Sequence, residues 1–184
     1  MKKLICSLSA VLVSAFSLPL LAGYADDRAE IENISNKYMV AVDAGDIETV
    51  MSTWADDGVL IWVFGEEHGK DEIRKAMSGF GGARYEPIPE GATSRQRTRH
   101  QIINHVIDVE GNIANTTAYW FAFTNRTPQG ELQLLYFGHY EDVLEKIDGH
   151  WKFKSRTIYN EGRDNKKLWY PELGEIDPRT RKPN

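Results

Sequence analysis

Apolar positions along this chain follow two periods, helical in the first half and alternating in the second. From Asp27 to about Ala44 the residues Ile31, Ile34, Tyr38, Ala41 and Val42 recur at helical spacing. Gly45 is placed to stop that helix, and Asp46 to cap a second one over Ile47 to Ala55, with Ile47, Val50, Met51 and Trp54 on one side. Asp57-Gly58 then turns into an apolar strand, Val59 to Phe64, and Gly65 to Gly69 form a loop. A third short helix is predicted over Lys70 to Phe80, with Ile73, Ala76, Met77 and Phe80 inward. The glycine- and proline-bearing stretch from Gly79 to Gly91 reads as a long loop, of the kind that is usually functional or mobile.

Four β runs follow: Thr98 to Val109, Asn112 to Thr124, Glu131 to Lys146 and Trp151 to Asn160. Gly111-Asn112 and Asp148-Gly149 are hairpin turn signals between them. Three helices followed by four long antiparallel strands describe an α+β domain with its helices on one face of a curved sheet. From Gly162 to Asn184 the chain is polar and carries Pro171, Pro178 and Pro183, as an extended tail would.

The first residues change the picture of where the chain works. Lys2-Lys3, an apolar run from Leu4 to Phe16, and Ala22-Gly23-Tyr24-Ala25 before Asp26 read as a signal peptide over residues 1–25. The run is too short and too soon broken to span a bilayer, and Tyr24 stands where a lipoprotein would need cysteine. A mature domain over 26–161 with a tail over 162–184, in the periplasm or secreted, is therefore expected. The single cysteine, Cys6, lies within the signal, so the mature chain has no disulfide and relies on its core. A formal charge of −5, more negative once Lys2 and Lys3 leave, argues against nucleic acid or an anionic membrane as partner.

Candidate chemistry concentrates in the first β run. Strict alternation puts His100, Ile102, Asn104 and Val106 on one face, and Arg99, Gln101, Ile103, His105 and Ile107 on the other. A histidine and an amide on a largely apolar face need either structural partners or a substrate. No metal is expected: His100 and His105 fall on opposite faces, and His68, His139 and His150 lack chelating spacing. The aromatic residues Trp62, Phe64, Tyr119, Trp120, Phe121, Phe123, Tyr136 and Phe137 divide between core and an apolar pocket suited to a ring-bearing or otherwise hydrophobic small molecule.

Several short motifs occur in a telling order. Tyr38 precedes Asp43-Ala44-Gly45-Asp46, followed by Trp54-Ala55-Asp56-Asp57-Gly58-Val59 and Gly69-Lys70-Asp71-Glu72-Ile73. Arg99-His100 with Asn104 comes next, then Gly138 to Asp142 and Asp148 to Phe153. In this order the chain resembles the nuclear transport factor 2-like superfamily, within it the SnoaL-like branch, over about Asp27 to Asn160. The resemblance implies a cone: a strongly curved antiparallel sheet around a long N-terminal helix, with two further helices and an apolar pocket at the open end.

Tyr38, Asp43, His100 and Arg156 match the pattern of bile acid dehydratase-like members, and dehydrochlorinase-like members are also similar. The resemblance thus implies a cofactor-independent lyase (dehydratase) or isomerase acting on a hydrophobic small molecule through an Asp–His acid/base pair. His100 would move the proton, Asp43 would stabilise its imidazolium, and Tyr38 would donate to an oxyanion. Asn104, Trp62, Tyr119 and Arg156 would bind substrate. A scytalone dehydratase-like pattern is departed from: Met39 follows Tyr38, and Thr116 to Phe123 holds no histidine.

Other uses of the same residues stay open. Asp43 in a last helical turn, where the macrodipole is unfavourable to a carboxylate, suits a base, but Asp43 could equally be a polar helix terminus. Tyr38 could be plain core, His100 a satisfied structural histidine, and Arg156 shares strand parity with Lys152 and Lys154. Non-catalytic binding of an apolar ligand, or assembly as a homodimer through the sheet, are the alternatives to catalysis.

Overall fold

The computed structural model describes residues 18–78, 97–127 and 129–162. The Gly79 to Gly91 loop, Phe80 and all but the start of the tail lie outside them. Helix α1 (Leu18–Ala44) begins upstream of the expected Asp27, inside the segment read as a signal. Its inward stripe is Ile31, Ser35, Tyr38, Met39 and Val42, all buried. Gly45, at φ 70°, ends it: the Gly45 amide donates to the Val42 carbonyl and the Asp46 amide to that of Ala41. Asp46 caps α2 (Ile47–Ser52), accepting from the Thr49 amide at 3.1 Å. No described helix is long and apolar enough to cross a membrane.

Strand β1 (Trp54–Trp62) starts earlier than Val59. Gly65–His68, expected as loop, pairs with β1 as β2, ahead of α3 (Gly69–Met77). Strands β3 (Thr98–Glu110), β4 (Ile113–Thr124), β5 (Gln133–Ile147) and β6 (His150–Asn160) complete one curved sheet of order β2-β1-β6-β5-β4-β3. The four long strands are antiparallel as expected, whereas β1 joins β6 in parallel. This is the anticipated α+β architecture: one sheet face is covered by α1, which packs mainly on β3 and also reaches β6.

Two bulges revise the face assignments made from strict alternation. In β3 the register with β4 shifts between Ile103 and Val106, and Asn104 takes φ 53°. Inward parity passes from His100 and Ile102 to His105 and Ile107, and Asn104 is exposed. In β6 the register with β5 shifts at Lys154, opposite the Val143/Leu144 step. Lys154 absorbs the extra residue, so Arg156 turns inward with Trp151 and Phe153 and is 0% exposed.

That inward arginine sits at the centre of the domain. Arg156 Nε and Nη2 donate to the two Asp142 oxygens at 2.8 and 2.7 Å. Its guanidinium lies 4.4 Å from the Tyr38 and Tyr140 ring centroids and 4.0 Å from that of Phe153. Edge-on contacts extend the cluster from Tyr38 to Trp54 and Phe153.

Removing one member of a buried pair strands the other charge. Asp142→Leu should therefore cost about 3–5 kcal/mol in urea unfolding. Arg156→Met combined with Asp142→Leu should recover most of that loss; a double variant as unstable as the single one would show that the pair is not what is missing.

His105 gives a pH-dependent counterpart. Burial holds it below the ordinary histidine value of 6.5, with Asp142 and Glu32 opposing and Arg156 and Arg28 reinforcing the shift. The unfolded chain then binds a proton that the folded one refuses, so this group's contribution is lost as pH falls from about 6.5 through the lowered value. His105→Leu should flatten the acid side of the melting temperature against pH profile; an unchanged slope would refute it.

Candidate functional site

Asp43 lies in the last turn of α1, one residue before its final residue Ala44 and the Gly45 stop, and this places its carboxylate against the start of β3. Asp43 Oδ1 meets His100 Nδ1 at 2.7 Å, and Asp43 Oδ2 accepts the His100 backbone amide at 2.9 Å. The Asp43 backbone carbonyl accepts from Arg99 at 3.4 Å. One carboxylate thus holds both the ring and the main chain of its partner, which fixes the imidazole plane. The side chains of Asp43 and His100 are 9% and 25% exposed, so the pair is shielded but reachable. With Nδ1 on Asp43, Nε2 is the ring nitrogen left for a ligand.

His100 borders a cavity of about 140 Å³ whose other walls are aromatic and aliphatic. Met39, Val42, Trp62, Trp120, Tyr136 and Ile158 supply much of that lining. Tyr38 and Tyr140 also face it, and both hydroxyls rest on sulfur: Tyr38 on Met77 Sδ at 4.0 Å, Tyr140 on Met39 Sδ at 3.4 Å. Sulfur is a weak acceptor, so neither hydroxyl is strongly committed. Burial, opposed by the Arg156 cation, pushes both phenols above their ordinary value, so they serve as donors rather than bases.

Of the predicted site residues, Asp43, His100, Tyr38 and Trp62 come together here. Arg156 does not line the cavity: it lies against the Tyr38 and Tyr140 rings and is held by Asp142. Asn104 is displaced by the β3 bulge and exposed. Tyr119 is 51% exposed on the opposite sheet face, because the even positions of β4 point inward, and Trp120 takes the wall position instead. Among the described residues no group of three or more His, Cys, Asp or Glu is arranged to hold a metal.

Asn160, at the end of β6, was missed from sequence. It lines the cavity, and its side-chain oxygen is buried with no hydrogen-bond partner among the described residues. The signal was available in principle: with the Lys154 bulge, Arg156, Ile158 and Asn160 share one face.

A SnoaL-like domain model matches residues 23–157. The chain belongs to the SnoaL-like domain family. Its fold is shared with solved structures from Novosphingobium aromaticivorans. An NTF2-like protein with a cystatin-like fold aligns at TM-score 0.67 and 19% identity, over 85% of this chain and 97% of its own. A protein provisionally named scytalone dehydratase aligns at 0.62 and 22%, over 76% and 87% of the two chains. The β subunit of a provisionally named aromatic-ring-hydroxylating dioxygenase aligns at 0.59 and 20%, over 76% and 91%. Among curated proteins no match is found. At these identities the structures establish for the SnoaL-like chain a nuclear transport factor 2-like cone, and the site has to be interpreted from its own residues.

Proposed function

We propose that this SnoaL-like protein is a cofactor-independent lyase or isomerase acting on a small hydrophobic molecule by acid–base catalysis. The carrying observation is the Asp43–His100 pair, 2.7 Å apart, at the wall of an apolar cavity. Neutral His100, carrying its proton on Nδ1 toward Asp43, presents the Nε2 lone pair. It takes a proton from a carbon beside a carbonyl, and the C–H electron pair moves to the carbonyl oxygen as an enolate. Asp43 stabilises the imidazolium, and the Tyr38 hydroxyl, on the wall of the same cavity, donates to the enolate oxygen. The same proton then goes to a β-hydroxyl, which leaves as water while the carbonyl re-forms beside a new double bond. Delivered to another carbon instead, it completes an isomerisation.

Binding without turnover is the second reading, favoured by a cavity wall made largely of aromatic and aliphatic side chains. The two are separated by proton NMR in deuterated water with a panel of cyclic ketones and β-hydroxy ketones. Catalysis predicts loss of the α-proton signal or elimination of water, slowed about 10²–10⁴-fold in His100→Gln and lowered in Asp43→Asn. Ligands that bind while His100→Gln matches the wild type would leave only the binder.

We extend the proposal to export, supported by the basic and apolar start of the chain, and to a homodimer. Val106, Tyr119 and Phe137, exposed on the sheet face turned away from α1, support pairing there. Mass spectrometry of the exported protein should find Asp26 at the N-terminus, and sedimentation should give a dimer that Phe137→Asp converts to monomer. An intact Met1 or a wild-type monomer would overturn the respective point.

A further inference from the structure

The cavity contains a second polar feature that the acid–base scheme does not use. Asn160 ends a row of cross-strand neighbours, Ile102, Trp120, Gly138 and Asn160, running from β3 to β6. Gly138 is the device that sets it. A Cβ there would lie 1.8 Å from the Tyr159 carbonyl oxygen, so only glycine lets β6 approach this closely. Across the same gap Trp120 Nε1 donates to that carbonyl at 3.2 Å. The backbone just before Asn160 is therefore pinned, and its amide is presented by a rigid strand rather than by a loop.

Despite that support, Asn160 Oδ1 is buried and unpaired. An unpaired buried polar atom is unfavourable, and an aliphatic side chain of the same size would avoid the cost. Asn160 lines the apolar cavity with that oxygen sealed behind its wall, so its amide has no fixed protein partner and is left to a ligand that turns it.

The surroundings limit what that ligand is. About 140 Å³ matches a single six-membered ring, since a dry cavity of about 150 Å³ takes benzene. Trp120 and Tyr140, 22° from coplanar with centroids 5.9 Å apart, supply flat walls. A carboxylate is disfavoured, because Arg156, bonded to Asp142 through Nε and Nη2, lies against the Tyr38 and Tyr140 rings and does not line the cavity, while the Asp43 carboxylate is nearby. A hydroxyl satisfies the amide whichever way it is turned, as it both donates and accepts.

We infer that Asn160 is the specificity-determining residue of this cavity, taking the hydroxyl of a neutral, single-ring molecule. The inference rests on the cavity being a ligand site, as proposed above, but not on turnover.

Calorimetric titration of the full chain with phenol, toluene and benzoate tests it. Wild type should bind phenol about ten-fold more tightly than toluene, and benzoate least well. Asn160→Leu should lose the phenol preference yet melt no lower than wild type, which a purely structural asparagine would not allow. Asn160→Ser, a milder change, should keep part of the preference. A preference that survives in Asn160→Leu overturns the assignment, as does wild type binding toluene as well as phenol. Failure to bind any of the three probes would instead remove the cavity as a ligand site, and with it both proposals.

Discussion

The buried pair between Arg156 and Asp142 is the interaction on which the rest of the domain depends. Neither charge is favourable inside a protein unless the other is present with good geometry, and here the contact is two-pronged at 2.8 and 2.7 Å. The guanidinium is also pressed between the rings of Tyr38 and Tyr140. Tyr38 lies on α1, Tyr140 and Asp142 on β5, and Arg156 on β6. One cation therefore sets the rotation of the helix against the sheet. Five residues further along that helix is Asp43, so the rotation also decides where the carboxylate falls. What the pair contributes is less net stability than a single way of docking α1.

The same arrangement separates the site electrically. Aromatic rings stand between the central cation and the cavity, and the cation's charge is already matched by Asp142. Asp43 is left to act on His100 alone, through both ring and backbone. The cavity itself stays nearly neutral and apolar, a medium in which a directed hydrogen bond counts for more than it would in water.

Much of this was visible in the amino-acid sequence, and what was not has identifiable causes. The helical stripe through Ile31, Tyr38 and Val42, the Gly45 stop and the two hairpin turns all follow local chemistry, and the structure keeps them. The order of motifs carried the family, and with it the suspicion falling on Asp43 and His100. Face assignments failed wherever a strand took an extra residue. Alternation cannot announce a bulge, so Asn104 was drawn toward the pocket, and Arg156, which the resemblance put among the substrate-binding residues, shared the parity of Lys152 and Lys154. Strand β2 escaped notice because Gly65 to His68 has no apolar pattern; its pairing is imposed by β1. Asn160 was passed over since an asparagine at the end of a strand looks like the beginning of a turn.

One further consequence concerns the last strand of the sheet. Among the described residues β3 has a strand partner only on its β4 side, and an open strand border is a template on which another chain can add. The contacts from α1 occupy that border: Asp43 takes the His100 amide, and Arg28 donates to the His105 carbonyl at 3.4 Å. At the opposite border stands β2, four residues long with two glutamates. The carboxylate that orients the His100 imidazole through one oxygen thus also covers the sheet border through the other and helps to keep the sheet from growing into a neighbour's, so a loss of Asp43 would be felt as aggregation as well as at the cavity.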